Sequence, residues 1–320
     1  MLIPILLFAV GLLALIKGGD WFVDGAASLA RRFRLPDIIV GATVVSIGTT
    51  LPEVMVSATG ALNGQGAMAY GNAIGSIICN TALIAALSVA LNPGKVNTKT
   101  MKMPVMFFFV SAAIYCVAAY LLGEFPRWLG FVMLALFAGY MVLTVKQGLA
   151  NPEAAEEEKQ SAPKALWQDL LALVLGAAVI AAGADLLVDN GTVIAQKLGV
   201  PETVIALTFV ALGTSLPELV TTITSLKKGR ASLGIGNVIG ANIFNLVLVS
   251  GVSVSLAPFE VPVGKLLVGQ NASLVLDIPL MIGVMLLLAV PALLRKKLSR
   301  WQGVMLLLIY AAFCVVQFTI

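Results

Sequence analysis

Long apolar runs recur along the chain near 2–16, 38–62, 67–91, 103–122, 128–145, 166–184, 203–226, 233–257, 272–294 and 303–319, separated by short polar connections. A helix rises 1.5 Å per residue, so about 20 apolar residues cross a bilayer, and each run is long enough or nearly so. The pattern predicts ten transmembrane helices, an all-α integral membrane protein with both termini on one side. The first run lacks a basic start and a small-residue cleavage site, so it reads as a spanning helix rather than a removable leader.

The pattern is written twice. A shift of 165 positions lays residues 20–80 over 185–245 without a gap. Asp20, Val23 and Asp24 fall on Asp185, Val188 and Asp189, and GTTLPE at 48–53 falls on GTSLPE at 213–218. GNAIGSIICN at 71–80 falls on GNVIGANIFN at 236–245 with six of ten positions identical, and chance similarity of apolar segments would not keep Gly, Pro, Glu and Asn together. The chain therefore divides into a first five-helix repeat over 1–148, a polar linker over 149–165 and a second repeat over 166–320. An odd number of helices, five, separates equivalent elements, so the second repeat enters the membrane inverted.

Composition makes lipid the solvent for most of the chain. Of 320 residues 59% are hydrophobic and 11% charged, against about a quarter charged in a soluble domain. Sixteen of the 20 Lys and Arg flank alternate connections, leaving Lys17, Arg127, Lys197 and Lys265 elsewhere. By the positive-inside rule the termini face out and the 149–165 loop is cytoplasmic. The net charge of +4 thus reports topology, and nucleic-acid binding is not inferred. Cys79, Cys116 and Cys314 lie in apolar runs without CxxC spacing, and there is no histidine, so thiolate metal sites and most hydrolase chemistry are disfavoured.

Each half places a glutamate within an apolar helix, Glu53 and Glu218. A carboxylate in hydrocarbon costs several kcal/mol unless it meets a cation, a proton or water. A protonated glutamate hydrogen-bonded between helices is the plain alternative, but it does not account for the motif recurring in both halves. Pro52 and Pro217 precede the glutamates and cannot donate to the carbonyls of Gly48 and Gly213, which releases those oxygens. Thr49, Thr50, Thr214 and Ser215 put hydroxyls on the same turn. Carboxylate, carbonyl and hydroxyl oxygens form a hard ligand set suited to Ca²⁺ or Na⁺. Asn80 and Asn245 sit about two and a half turns beyond Gly71 and Gly236, deep enough to ligate or orient the glutamates.

GATVVSIGTTLPE with GNAIGSIICN, and LTFVALGTSLPEL with GNVIGANIFN, resemble the two alpha-repeats of the calcium/cation antiporter superfamily, and the chain is most similar to the prokaryotic sodium/calcium exchangers. The resemblance implies ten helices with an ion cavity among the central four, roughly 38–62, 67–91, 203–226 and 233–257. It implies exchange of Ca²⁺ for Na⁺ by alternating access across a prokaryotic cytoplasmic (inner) membrane, with the transported ions and the bilayer as the only partners and no cofactor. Ca²⁺ would be held by Glu53 and Glu218 with the carbonyls of Thr49 and Thr214. Na⁺ would use oxygens of Ser46, Thr50, Ser76, Ala211 and Ser215 besides the glutamates, Ser46 and Ala211 through backbone carbonyls. Ala241 stands where the first repeat has Ser76, and Asn245 where relatives can carry an aspartate, so the chain lacks one hydroxyl and one protonatable group of that pattern.

Three rivals follow from the same residues. A proton/Ca²⁺ antiporter, or one moving another divalent cation, would use the same two glutamates. An intramembrane protease would need paired carboxylates as acid and base, normally aspartates in other contexts. A passive channel is disfavoured by the inverted repeats. Asp20, Asp24, Asp185 and Asp189 are placed near helix ends, in a structural or cavity-mouth role, and Glu156–Glu158 in a solvated linker without the spacing of an EF-hand loop.

Overall fold

The computed structural model describes residues 2–150, 165–198, 213–263 and 266–319. They form α1 (Leu2–Arg32), α2 (Asp37–Leu62), α3 (Gly66–Leu91), α4 (Thr98–Leu122), α5 (Arg127–Ala150), α6 (Leu166–Lys197), α7 (Leu216–Lys227), α8 (Ala231–Leu256), α9 (Ser273–Arg295) and α10 (Arg300–Thr319). Nine of these are long and apolar enough to cross a membrane; α7 is the described C-terminal part of the span predicted over 203–226. The acidic run at 156–158 and Ala211 lie outside the described residues.

α1 and α6 run well past their apolar stretches. Lys17 and Asp24 interrupt the hydropathy of α1, yet both are exposed on its outer side, so the helix continues to Arg32. The expectation that the four aspartates lie near helix ends is therefore corrected: α1 runs about two turns beyond Asp24 and about three beyond Asp20, and α6 likewise beyond Asp189 and Asp185. The two helices, equivalent under the repeat, pack side by side. A Cβ on Gly11 would come within 2.9 Å of the Gly183 carbonyl, and one on Gly18 within 2.9 Å of the Ile180 nitrogen. A Cβ on Gly25 would meet the Asp169 carbonyl at 2.8 Å. As the α1 number rises the α6 number falls, so the equivalent helices are antiparallel and the repeats are inverted. Glycine every seventh residue on α1, answered by Gly176 and Gly183 on α6, lets the backbones touch in the small-residue manner of membrane helices.

This pair is peripheral, with only 22% of each apolar window buried, whereas α8 at 83% and α3 at 72% form the centre. The main core gathers Ile74, Ile77 and Ile78 of α3, Phe108 and Tyr115 of α4, Val238, Ile243 and Phe244 of α8, and Met281 and Met285 of α9. A smaller cluster of Leu15, Phe22, Val23, Val40, Val45, Ile180 and Leu233 joins the α1–α6 pair to it.

Short strand pairs tie connections on opposite faces. β1 (Gly94–Lys95) pairs with β6 (Lys297–Leu298) on one face, and β2 (Glu124–Phe125) with β3 (Phe259–Glu260) on the other; β4 (Leu266–Leu267) and β5 (Gln270–Asn271) form a hairpin. The basic connections carry the ion pairs. Lys228 meets Asp24 at 2.7 Å and Asp20 at 3.4 Å, Arg230 meets Asp37 at 3.0 Å, and Arg32 meets Asp169 at 3.1 Å. Asp20 and Asp24 are thus structural, joining α1 to the turn after α7.

Gly18→Leu places a side chain into the Ile180 and Gly176 backbone, which cannot yield without separating α1 from α6. The expected result is a loss of about 1–3 kcal/mol or more, read as a lowered thermal midpoint and a shrunken monodisperse peak in detergent. Lys17→Leu on the exposed side of the same helix leaves both unchanged.

Candidate functional site

Thr49 and Thr50 lie three and four residues after Ser46, Glu53 three and four after them and Ser57 four further on, which puts all five on one face of α2, and all are buried. A π-helical turn over Gly41–Val45 precedes them, and Tyr140 Oη donates to the Ala42 carbonyl within it at 2.9 Å. Such a turn holds an extra residue and frees backbone oxygens that an α-turn would use. α8 lies directly against this stretch. A Cβ on Gly236 would overlap the Ile38 backbone and one on Gly240 the Ser46 hydroxyl, so glycine alone permits the approach.

The two prolines act differently, against the symmetric expectation. Pro52 lies inside a continuous helix, where its missing N–H leaves the Gly48 carbonyl without the usual donor. Pro217 lies in the first turn of α7, where that N–H would be free in any case, and Thr214 and Ser215 form a turn ahead of it. Glu218 occupies that first turn, at the end of the helix where free N–H groups favour negative charge.

α3 and α8 each open into a π-helical turn at the repeated asparagine, over Asn80–Ala85 and Asn245–Val249. The turn at Asn80 packs against α7, which carries Glu218, and the turn at Asn245 packs against α2, which carries Glu53. Each asparagine is therefore applied to the other half's glutamate helix.

The result is a cluster of buried polar side chains in an apolar core. Glu53, Glu218, Asn80 and Asn245 are fully buried. Neither carboxylate oxygen of Glu53 has a hydrogen-bond partner among the described residues, and the same holds for Glu218 Oε2, the Ser215 hydroxyl and the whole side-chain amides of Asn80 and Asn245. Glu218 Oε1 accepts from Thr50 Oγ1 at 3.5 Å, a contact between the two halves that sets Glu218 beside the helix turn leading to Glu53. Ser76 is buried in α3, while its counterpart in α8 is the fully buried Ala241; Thr214 is half-buried. Orphaned polar atoms in low dielectric cost roughly 1–3 kcal/mol each, and more when charged. What the arrangement offers is a convergent set of hard oxygens with net negative charge, fit for a cation.

Two residues were missed from sequence. Asn72 Nδ2 donates to Ser57 Oγ at 2.8 Å and to the Glu53 carbonyl at 3.2 Å. Asn237 Oδ1 accepts from Thr49 Oγ1 at 3.2 Å and Ser46 Oγ at 3.3 Å. Both are the Asn of the repeated GNxxG, a signal present in the sequence but obscured by the glycines beside it. Asn242 instead donates to Thr81 Oγ1 at 2.7 Å.

The model of the sodium/calcium exchanger protein family matches residues 3–146 and 169–319, nearly the whole chain in two halves. The chain belongs to that family. It is 30% identical over 352 residues to the sodium/calcium exchanger MaX1 of Methanosarcina acetivorans, covering 98% of each. It is also 35% identical to the inner membrane protein YrbG of Escherichia coli K12 over 82% of each. Solved structures of the sodium-calcium exchanger NCX_Mj superpose with TM-scores up to 0.82 at 31% identity, covering 97% of both chains. The antiporter is thus a transporter of Ca²⁺ and other cations rather than an enzyme, and the intramembrane-protease alternative falls away.

Replacing either carboxylate by its neutral amide removes a buried, under-partnered acidic group while conserving shape. In chelator and without Na⁺, Glu53→Gln and Glu218→Gln melt at or above the wild-type temperature, by a few degrees for each roughly 1 kcal/mol relieved. A lowered midpoint in a thermal scan would mean that the carboxylates are structural.

Proposed function

We propose that the chain exchanges Ca²⁺ for Na⁺ across the prokaryotic cytoplasmic membrane by alternating access. The observation that carries this reading is the pair of fully buried glutamates, one from each repeat, whose carboxylate oxygens are largely unpartnered. Two carboxylates give a charge of about −2. One Ca²⁺ neutralises it, and so do Na⁺ ions, but both cannot occupy the same oxygens. On this reading Ca²⁺ is held by Glu53 and Glu218 with the carbonyls of Thr49 and Thr214. Na⁺ takes overlapping oxygens of Ser46, Thr50, Ser76, Ala211 and Ser215, and the unpartnered amides of Asn80 and Asn245 ligate the ion or orient the carboxylates once it is bound. A load of one kind then crosses at a time, which makes the fluxes obligatory exchange. The excess of Lys and Arg on one set of connections supports a cytoplasmic 149–165 linker between two five-helix units and termini facing out.

Ala241 in the place equivalent to Ser76 favours a second reading, H⁺/Ca²⁺ exchange, because it removes one hydroxyl from a sodium position. Proteoliposomes separate the two. An imposed Na⁺ gradient at equal pH drives ⁴⁵Ca²⁺ uptake if Na⁺ is the coupling ion, and a pH gradient without Na⁺ drives it if protons are.

Glu53→Ala and Glu218→Ala each abolish this uptake, by at least a hundred-fold, in protein that still elutes as a folded species. Sodium-driven uptake surviving in either variant would sink the proposed site. Ca²⁺ raises the thermal midpoint of the wild type and loses that effect in both variants.

A further inference from the structure

The sequence repeat is symmetric at the GNxxG asparagines, and the structure is not. Asn72 turns to its own half, donating to Ser57 on the helix that carries Glu53. The equivalent partner of Asn237 is Thr222, four residues after Glu218 as Ser57 is four after Glu53. That bond is not made. Asn237 faces the other half, where its side-chain oxygen accepts from Thr49 at 3.2 Å, and the single Ser46 hydroxyl proton is shared among the Gly41 carbonyl at 2.8 Å, the Asn237 carbonyl at 3.0 Å and Asn237 Oδ1 at 3.3 Å. Both ends of the missing bond, Asn237 Nδ2 and Thr222 Oγ1, are buried and without a partner among the described residues.

Two orphaned groups that are homologous to a bonded pair are costly in this conformation and would satisfy one another after a small shift of α8 along α7. We propose that Asn72 and Asn237 are positioning residues that exchange partners as the antiporter changes the face to which its site opens. This rests on the alternating-access reading above. In one conformation Asn72 holds Ser57 and Asn237 holds Thr49 and Ser46; in the other Asn237 holds Thr222 and the Glu218 carbonyl, and Asn72 releases Ser57 and crosses to the second half. The inverted repeat requires this exchange, because the opposite-facing state is reached when each half adopts the other's conformation.

Ion binding is coupled to the exchange through Thr49. Its hydroxyl is tied to Asn237 in the present state alone, four residues before Glu53 on the same helix face. The swap is also unequal. Ser46 supplies a hydroxyl to Asn237, whereas Ala211, its equivalent, has none to offer Asn72. The present state therefore gains a bond that its mirror lacks.

Ser57 and Thr222 are not ion ligands on the reading above, so substituting them perturbs the switch without touching the site. Thr222→Val removes the partner used in the opposite-facing state, and Ser57→Ala removes the one used in this state. Each lowers the population of one facing state and so raises the Ca²⁺ KM measured from that face relative to the other. In oriented proteoliposomes with saturating Na⁺ on the far side, the ratio of the two KM values shifts roughly three- to ten-fold, the span of one net intramolecular hydrogen bond. The shifts are in opposite directions for the two variants, and the double variant returns towards the wild-type ratio. A loss of packing alone would move both variants the same way or neither, and either result overturns the proposal. Thr222→Ala makes the same comparison if the valine variant does not assemble. Wild-type protein without Na⁺/Ca²⁺ exchange would count against the exchange reading instead, because the KM ratio can be read with any driving ion.

Discussion

A carboxylate short of hydrogen-bond partners is among the most expensive things a membrane protein can bury, and this chain buries two, Glu53 with neither oxygen engaged and Glu218 with one. Much of the surrounding architecture can be understood from that constraint. The π-helical turns at Asn80 and Asn245, the turn at Thr214–Ser215 and the proline inside α2 each interrupt regular hydrogen bonding at membrane depth. Irregular backbone there is tolerated only where protein or a cavity surrounds it, and these interruptions lie on the helices that carry the two glutamates or pack against them. The helices packed against theirs, α8 and α3, are correspondingly the ones most enclosed by protein.

A second level of organisation follows from the difference between centre and periphery. α3 and α8 are locked among large apolar side chains, whereas α1 and α6 touch mainly each other, backbone to backbone along a glycine seam. A seam of glycines has few interdigitated side chains to resist relative displacement, and most of the pair faces lipid. α1 is joined to the rest by the apolar cluster around Leu15, Phe22 and Val23 and, near one face, by the ion pairs of Lys228 with Asp20 and Asp24. Asp185 and Asp189, the counterparts of Asp20 and Asp24, instead line a cavity of about 820 Å³ bordered by Met55 and Pro52. The two ends of an inverted repeat are thus treated differently, one drawn together by charge and the other separated by space.

Most of the fold was legible in the sequence because its two strongest signals are collective. Apolar runs gave the helices, and the 165-residue shift paired Glu53 with Glu218 and Asn80 with Asn245 before any geometry was known. What escaped was local. The reach of α1 to Arg32 and of α6 to Lys197 was hidden because charges on the exposed side end a hydropathy window without ending a helix. The π-helical turns have no composition of their own; NTALIA and NLVLV read as ordinary helix. The unequal roles of Pro52 and Pro217 could not be read from GTTLPE and GTSLPE, which are nearly the same string.

That last failure has a physical reason. A repeat in sequence describes the average of two conformations, while a structure is one of them, and the two halves of an antiporter must differ at any instant for one side to be open and the other shut. Sequence symmetry therefore predicts which residues exchange roles, and structural asymmetry predicts which role each holds now. Asn72 and Asn237 are the clearest instance: identical letters, identical spacing from their glutamates, and different partners. Positions where the sequence is itself asymmetric, Ser46 against Ala211 and Ser76 against Ala241, are of another kind. They cannot exchange roles, so they weight one conformation against the other, or one ion against another, permanently. The ion that drives exchange is therefore better sought in the mismatch of Ser76 with Ala241 than in the glutamates, which any cation exchanger of this architecture would share.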